Sequence, residues 1–315
     1  MSKNNDMNPN LSSLPVKASI IIWSLCCSCG SGSCGDLPGT MGPTGHAIAL
    51  KIHTDSTGYG INPYPAIGAI PLPPGYRRVT TEKGAFADWL RNVRLKRDRT
   101  VRLYNGSARN DQETQYAVLD ITVGKTDLQQ CADAVMRLRA EYLYSCQDGK
   151  DIEFHTGQGT RLNFGEWAAG QRWKIDGGRL VGYRAGACDD RKCFWDYLQI
   201  VFTYCGTLTL EQQLRPVARI GEMQIGDVFI HGGSPGHAML VVDRAEDSSG
   251  RQIFLLAQGF MPAQDIHIVK NLTNPILTPW YSVDYDQPLF TPGYIFFPGQ
   301  LRTWPRLPKT NPPPR

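Results

Sequence analysis

Three absences narrow the field. No apolar run in the chain approaches the ~18 residues of a membrane-spanning helix; the apolar stretch near the start, from Ala18 to Leu25, is far shorter. No lysine- or arginine-rich arm is interleaved with aromatic residues, which argues against nucleic acid as a partner. The one dense basic stretch, Arg91 to Arg102, reads as a solvated face. There is also no phosphate-binding loop, since Gly157–Gly165 lacks the lysine and the strand-to-helix context, and no HExxH-type metal spacing. No cofactor or metal is therefore expected.

What is present is a chain of 315 residues, 41% hydrophobic, with a net charge of +4 spread along its length. That is enough for a substantial core. The 32 glycines and 22 prolines predict short elements joined by many loops. Residues 1–36 read as a leader. Lys17, the apolar stretch from Ala18 and then Cys26, Cys27 and Cys29 resemble an export or lipoprotein signal. On this reading the protein is exported, periplasmic or lipid-anchored at a bacterial envelope, and meets the membrane only through that anchor. A disordered cysteine-rich leader and a zinc cluster of Cys26, Cys27, Cys29 and Cys34 are the alternatives. Residues 37–76 read as a Gly/Pro-rich linker, 77–305 as one α+β domain and 306–315 as a disordered tail. Cys188 and Cys193 flank a polar loop and suit a disulfide in an oxidising compartment.

Within the domain, helical patterns come first and short β-branched or aromatic strands second, which predicts a helix packed on an antiparallel sheet. The clearest helix is Asp127–Tyr144, with Asp127 as N-cap and Gln130 completing a capping box. Cys131, Val135, Leu138 and Tyr142 share one face. Cys131 in the first turn is either an ordinary packed cysteine or a thiol whose pKa a helix N-terminus lowers. The best base is His237, which opens a strand directly after a Gly/Pro turn. Asp243 is too far along that strand to orient it. A hairpin turning between Asp247 and Ser248 would set Gln258 directly opposite His237, where its carbonyl could fix the imidazole tautomer. Gln129 or Gln130 could donate to an oxyanion beside the Cys131 N–H. Ser234 in Gly232–Gly236 matches a serine-hydrolase elbow, but residues 237–243 after it read as strand. His231, His237 and Asp227 lack a metal-site spacing, and Gln264, Asp265 and His267 lie in a segment that could line the same cleft.

The chain carries two resemblances. The Gln-Gln-Cys helix start at Gln129–Cys131, the Gly226-Asp227 strand, the Gly236-His237 strand and the segment Ile253–Phe260 resemble cysteine amidases of the CHAP and NlpC type. This resemblance implies a papain-like fold, with Cys131 as nucleophile, His237 as base, Gln258 as third residue and Gln129 as oxyanion donor. It also implies a peptide or peptidoglycan-like substrate. The gap of 106 residues from Cys131 to His237 exceeds that of the small amidases and implies insertions. Over nearly its whole length the chain also resembles the bacterial family known as domain of unknown function 4846. The matching stretches include Pro73–Val79, Phe86–Arg91, Asp127–Leu143, Leu198–Leu210 and Leu255–Asn271. This second resemblance implies no chemistry. The alternative to a hydrolase is a non-catalytic envelope binding or scaffold protein.

Overall fold

The computed structural model describes residues 60–282 and 286–305. The leader, most of the expected linker and the expected tail lie outside the described residues. The helices are α1 (Phe86–Asn92), α2 (Cys131–Ser145), α3 (Phe164–Ala168), α4 (Arg191–Tyr204) and α5 (Thr207–Gln213). The first strands are β1 (Tyr76–Arg78), β2 (Gln115–Val118), β3 (Glu153–His155), β4 (Arg161–Asn163), β5 (Gln171–Asp176), β6 (Arg179–Arg184) and β7 (Arg215–Pro216). After them come β8 (Val228–His231), β9 (His237–Asp247), β10 (Gln252–Gln258), β11 (His267–Val269), β12 (Leu289–Thr291), β13 (Tyr294–Phe296) and β14 (Leu301–Thr303).

One eight-stranded antiparallel sheet organises the fold, in the order β2-β11-β10-β9-β8-β14-β7, with β1 paired to the far half of β9. The remaining strands form three separate hairpins. The protein is thus mixed α and β, with a large antiparallel sheet and few helices. Alternation along the two central strands gives the sheet two buried faces. Ala238, Leu240, Val242, Ile253, Leu255 and Ala257 join the larger core with α2 and α4. Met239, Val241, Phe254 and Leu256 belong to a smaller core with Phe229, Tyr281 and Phe296. Helix α2 lies on β9 and β10.

Several expectations need correction. The composition of residues 60–76 predicts linker, but Ile67 and Ile70 are fully buried in the main core and β1 pairs with β9. The Gly/Pro content there makes tight turns within the domain. Helix α2 begins at Cys131, not near Asp127, and Gln130 is its N-cap. The Gln130 backbone N–H donates to Asp133 Oδ2 at 3.0 Å, while Asp127 Oδ1 accepts from the Ala263 N–H at 2.6 Å. Gly232–Gly236 joins strand β8 to strand β9, so Ser234 does not sit on a strand-to-helix elbow. Cys188 and Cys193 are joined in a disulfide just before and within the first turn of α4.

The β9–β10 register also differs from the expected one. Pairing runs Glu246↔Gln252 to Asp243↔Leu255, then shifts by a bulge to Val241↔Leu256 and Leu240↔Ala257. Unbulged, the outer register would carry Gln258 opposite Leu240, on the helix-facing side. The bulge at Val242 moves it one residue on, opposite Met239 and diagonal to His237. A single extra residue therefore brings Gln258 onto the face of His237.

Candidate active site

The first turn of α2 reaches the end of β10 because residue 259 is glycine. A Cβ on Gly259 would lie 2.7 Å from the Gln130 carbonyl oxygen and 3.0 Å from Ala134 Cβ. That close approach sets Cys131, the first residue of the helix, beside the start of β9. The Cys131 sulfur is faced by the backbone N–H groups of Ala132, Ala238 and Cys131 itself, all of which favour thiolate. Burial is nonetheless the largest influence and pushes the thiol up from 9.0, with the Asp133 charge adding to it. The helix N-terminus acts in the lowering direction, but the net shift is upward, as for a packed cysteine. Desolvation of the thiolate outweighs three backbone donors.

His237 follows Gly236, where a side chain has no room: a Cβ would sit 2.5 Å from Thr207 Oγ1 and 2.8 Å from the His231 carbonyl oxygen. The imidazole is enclosed by Phe260, Tyr294 and Phe296, with ring centroids at 5.1, 5.2 and 6.0 Å. Its Nε2 lies 2.7 Å from Gln258 Oε1. Gln258 Nε2 lies 3.3 Å from Nε2 of His267, the residue opposite it on β11. His267 Nδ1 lies 3.0 Å from the Asp265 carbonyl oxygen.

These contacts fix the proton positions. A carbonyl only accepts, so His267 carries its proton on Nδ1 and accepts at Nε2. There it meets the Gln258 amide and, at 3.4 Å, Arg109 Nη1, a group that only donates. The Gln258 amide nitrogen therefore points to His267 and its oxygen to His237. His237 must donate from Nε2, which leaves the lone pair on Nδ1. Burial holds both rings neutral. It lowers His237 to about 4 against the favourable Gln258 bond. It lowers His267 to about 3, with the Arg109 charge acting in the same direction.

Gln129 is not joined to this chain of bonds. Its Oε1 accepts from Arg137 Nη1 at 2.8 Å, and Arg137 in turn stacks on Trp195 and pairs with Glu141 at 2.7 Å. Its Nε2 has no partner among the described residues. Asp243 is engaged elsewhere as well, fully buried between Arg91 Nε at 2.6 Å and Arg78 Nε at 2.7 Å. Tyr294 is a site residue that sequence reasoning missed. Its hydroxyl lies 2.6 Å from Nδ1 of His231, the cross-strand partner of His237. Its phenol is pushed up by burial and, next, by the charge that Cys131 would carry as thiolate. Sequence reasoning misses Arg109 and the Asp265 carbonyl too, although the segment holding Asp265 and His267 stands out in it. A cleft of ≈ 410 Å³ passes Gln258 and Arg109 between Phe260, Met261 and Gly293.

Residues 68–303 match the family described as domain of unknown function (4846). The chain belongs to this family. The matched span includes Cys131, His237, Gln258 and His267, of which the last three are joined by hydrogen bonds while none links Cys131 to His237, and the match begins inside the stretch expected to be linker. No curated protein and no solved structure matches the chain.

Proposed function

We propose that this domain of unknown function 4846 is a papain-like cysteine hydrolase acting on amide bonds. The observation that carries the proposal is the buried chain from His237 through Gln258 to His267, which leaves a lone pair on His237 Nδ1. Cys131 is the nucleophile, His237 the general base and Gln258 a positioning residue. The Cys131 S–H proton passes to His237 Nδ1 as sulfur adds to the substrate carbonyl carbon. The C–N bond then breaks, the amine takes that proton, and water hydrolyses the thioester. The backbone N–H of Cys131, which faces the sulfur in the resting site, is assigned to the oxyanion, and Gln129 is assigned no role. With a raised thiol and a lowered imidazole, the pair rests as neutral thiol and neutral imidazole. Proton transfer then accompanies attack, with no resting ion pair. The export-like leader and the amidase resemblance favour peptides of the cell envelope as substrates, by analogy.

The second reading is a binding or scaffold protein on the same frame. It is favoured by the burial that keeps both groups neutral. Alkylation with iodoacetamide at neutral pH and peptide mapping separate the two, because Cys146 is an exposed free thiol in the same chain. A hydrolase requires that Cys131 react, and that His237→Ala slow it at least about 10-fold while Cys146 is unchanged. If Cys131 reacts more slowly than Cys146 and ignores His237→Ala, the hydrolase reading fails.

A further inference from the structure

Arg139 projects from α2 into a cavity distinct from the cleft at Gln258. The cavity has a volume of ≈ 460 Å³, and its walls include Leu143, Lys150, Phe154, Gln213 and Trp304. Arg139 is only 9% exposed, yet among the described residues no carboxylate pairs with it and no group accepts a hydrogen bond from it. Its guanidinium is held by aromatic rings instead, 5.0 Å from the centroid of Phe86, 5.4 Å from Trp304 and 5.5 Å from Tyr142.

A guanidinium offers two kinds of surface. Its faces stack on aromatic rings, and its edge carries five N–H donors in a fork matched to a planar oxyanion. Here three rings hold the guanidinium, and among the described residues no group accepts from its edge. The edge nitrogens are not sealed from solvent, unlike those of several other buried side chains in this protein. A nine-tenths-buried cation with an open fork, fixed in direction by three rings, is preorganised for an anion. The acidic residues of the wall do not meet this need. Glu153 is committed to Arg161 at 2.7 Å and to His155 at 3.0 Å. Asp151 acts on Arg139 only through its field, beyond ion-pair distance. Lys150 adds a second positive charge at the rim. Leu143, Phe154 and the Trp304 ring form an apolar wall beside the guanidinium.

We propose that this cavity is a binding site for a small organic carboxylate, whose two oxygens take the Arg139 fork while its apolar body lies against Leu143, Phe154 and Trp304. The proposal does not depend on the hydrolase reading, because neither Cys131 nor His237 lines the cavity. Calorimetric titration of the full chain with benzoate tests it, with benzamide as the uncharged analogue and inorganic phosphate as the anion without an apolar body. Saturable one-site binding of benzoate is expected, with benzamide at least about 10-fold weaker, since a hydrogen bond between charged groups contributes about that factor or more. Arg139→Gln should remove benzoate binding. Arg139→Lys, which keeps the charge but loses the fork, should weaken it about 10-fold and serves if Arg139→Gln fails to fold. The proposal is overturned if benzoate does not bind, if benzamide binds equally well, or if the folded variants bind like the parent. Phosphate binding as tightly as benzoate overturns the apolar half of it.

Discussion

The neutral imidazole of His237 has a consequence for stability that can be measured. Folding lowers its pKa from 6.5 to about 4. In the unfolded chain the ring titrates normally, so between those two values the unfolded state binds more protons than the folded one. Stability then rises with pH across that window and is lost as pH falls through it. Integrating between about pH 7.5 and about pH 5, the ring costs the folded state about 2 kcal/mol. The parent protein's total pH dependence is not the test. Asp227 is raised to about 6 by burial and gains stability over the same range, and His267 acts in the same sense as His237. The clean quantity is the difference between the parent and His237→Gln, which removes one titrating ring and leaves the others. Urea unfolding at the two pH values should show the variant losing about 2 kcal/mol less than the parent. Equal losses, within about 0.5 kcal/mol, would refute the claim that His237 is buried as a neutral base. Nitrogen chemical shifts of the ring should independently show a protonated Nε2 and an unprotonated Nδ1.

Two further substitutions probe what positions the site. Gly259→Ala places a Cβ 2.7 Å from the Gln130 carbonyl oxygen, so the first turn of α2 has to lift off β10. We expect a loss of about 1–3 kcal/mol by chemical unfolding, with slower alkylation of Cys131 and unchanged alkylation of Cys146; a neutral effect on both would mean that this approach does not set the position of Cys131. Asp243→Asn removes the charge that faces Arg78 and Arg91 in a fully buried position. We expect about 3–5 kcal/mol of destabilisation, while alkylation of Cys131 in the remaining folded protein stays at the parent's rate, because Asp243 orients no ring in the site.

The parts of this protein legible in its sequence are those set by local pattern. The apolar faces of α2 and α4, the β-branched runs of β8–β11 and the helix-on-antiparallel-sheet arrangement all come from periodicity. What escapes is what depends on a neighbour distant in sequence. Residues 60–76 have linker composition, yet Ile67 and Ile70 find a core built by later segments. The β5–β6 hairpin is a different case, since it turns at Gly177 and Gly178, both at positive φ, and such a glycine pair is a local signal for a tight hairpin turn. The pairing of His237 with Gln258 is reached from the sequence through a register that the structure replaces. The contact exists because a bulge at Val242 corrects the parity, and no residue type at that position announces a bulge. His267 shows the same limit from the other side. Its ring can be seen in the sequence, but its function as the acceptor that turns the Gln258 amide cannot. That depends on Arg109, which reaches it from a distant part of the chain, acting together with the local Asp265 carbonyl two residues back. The proton position on His237 is therefore a property of the assembled sheet. Helix α2 brings only the thiol to it, and a glycine just past the end of β10 decides how close that thiol comes.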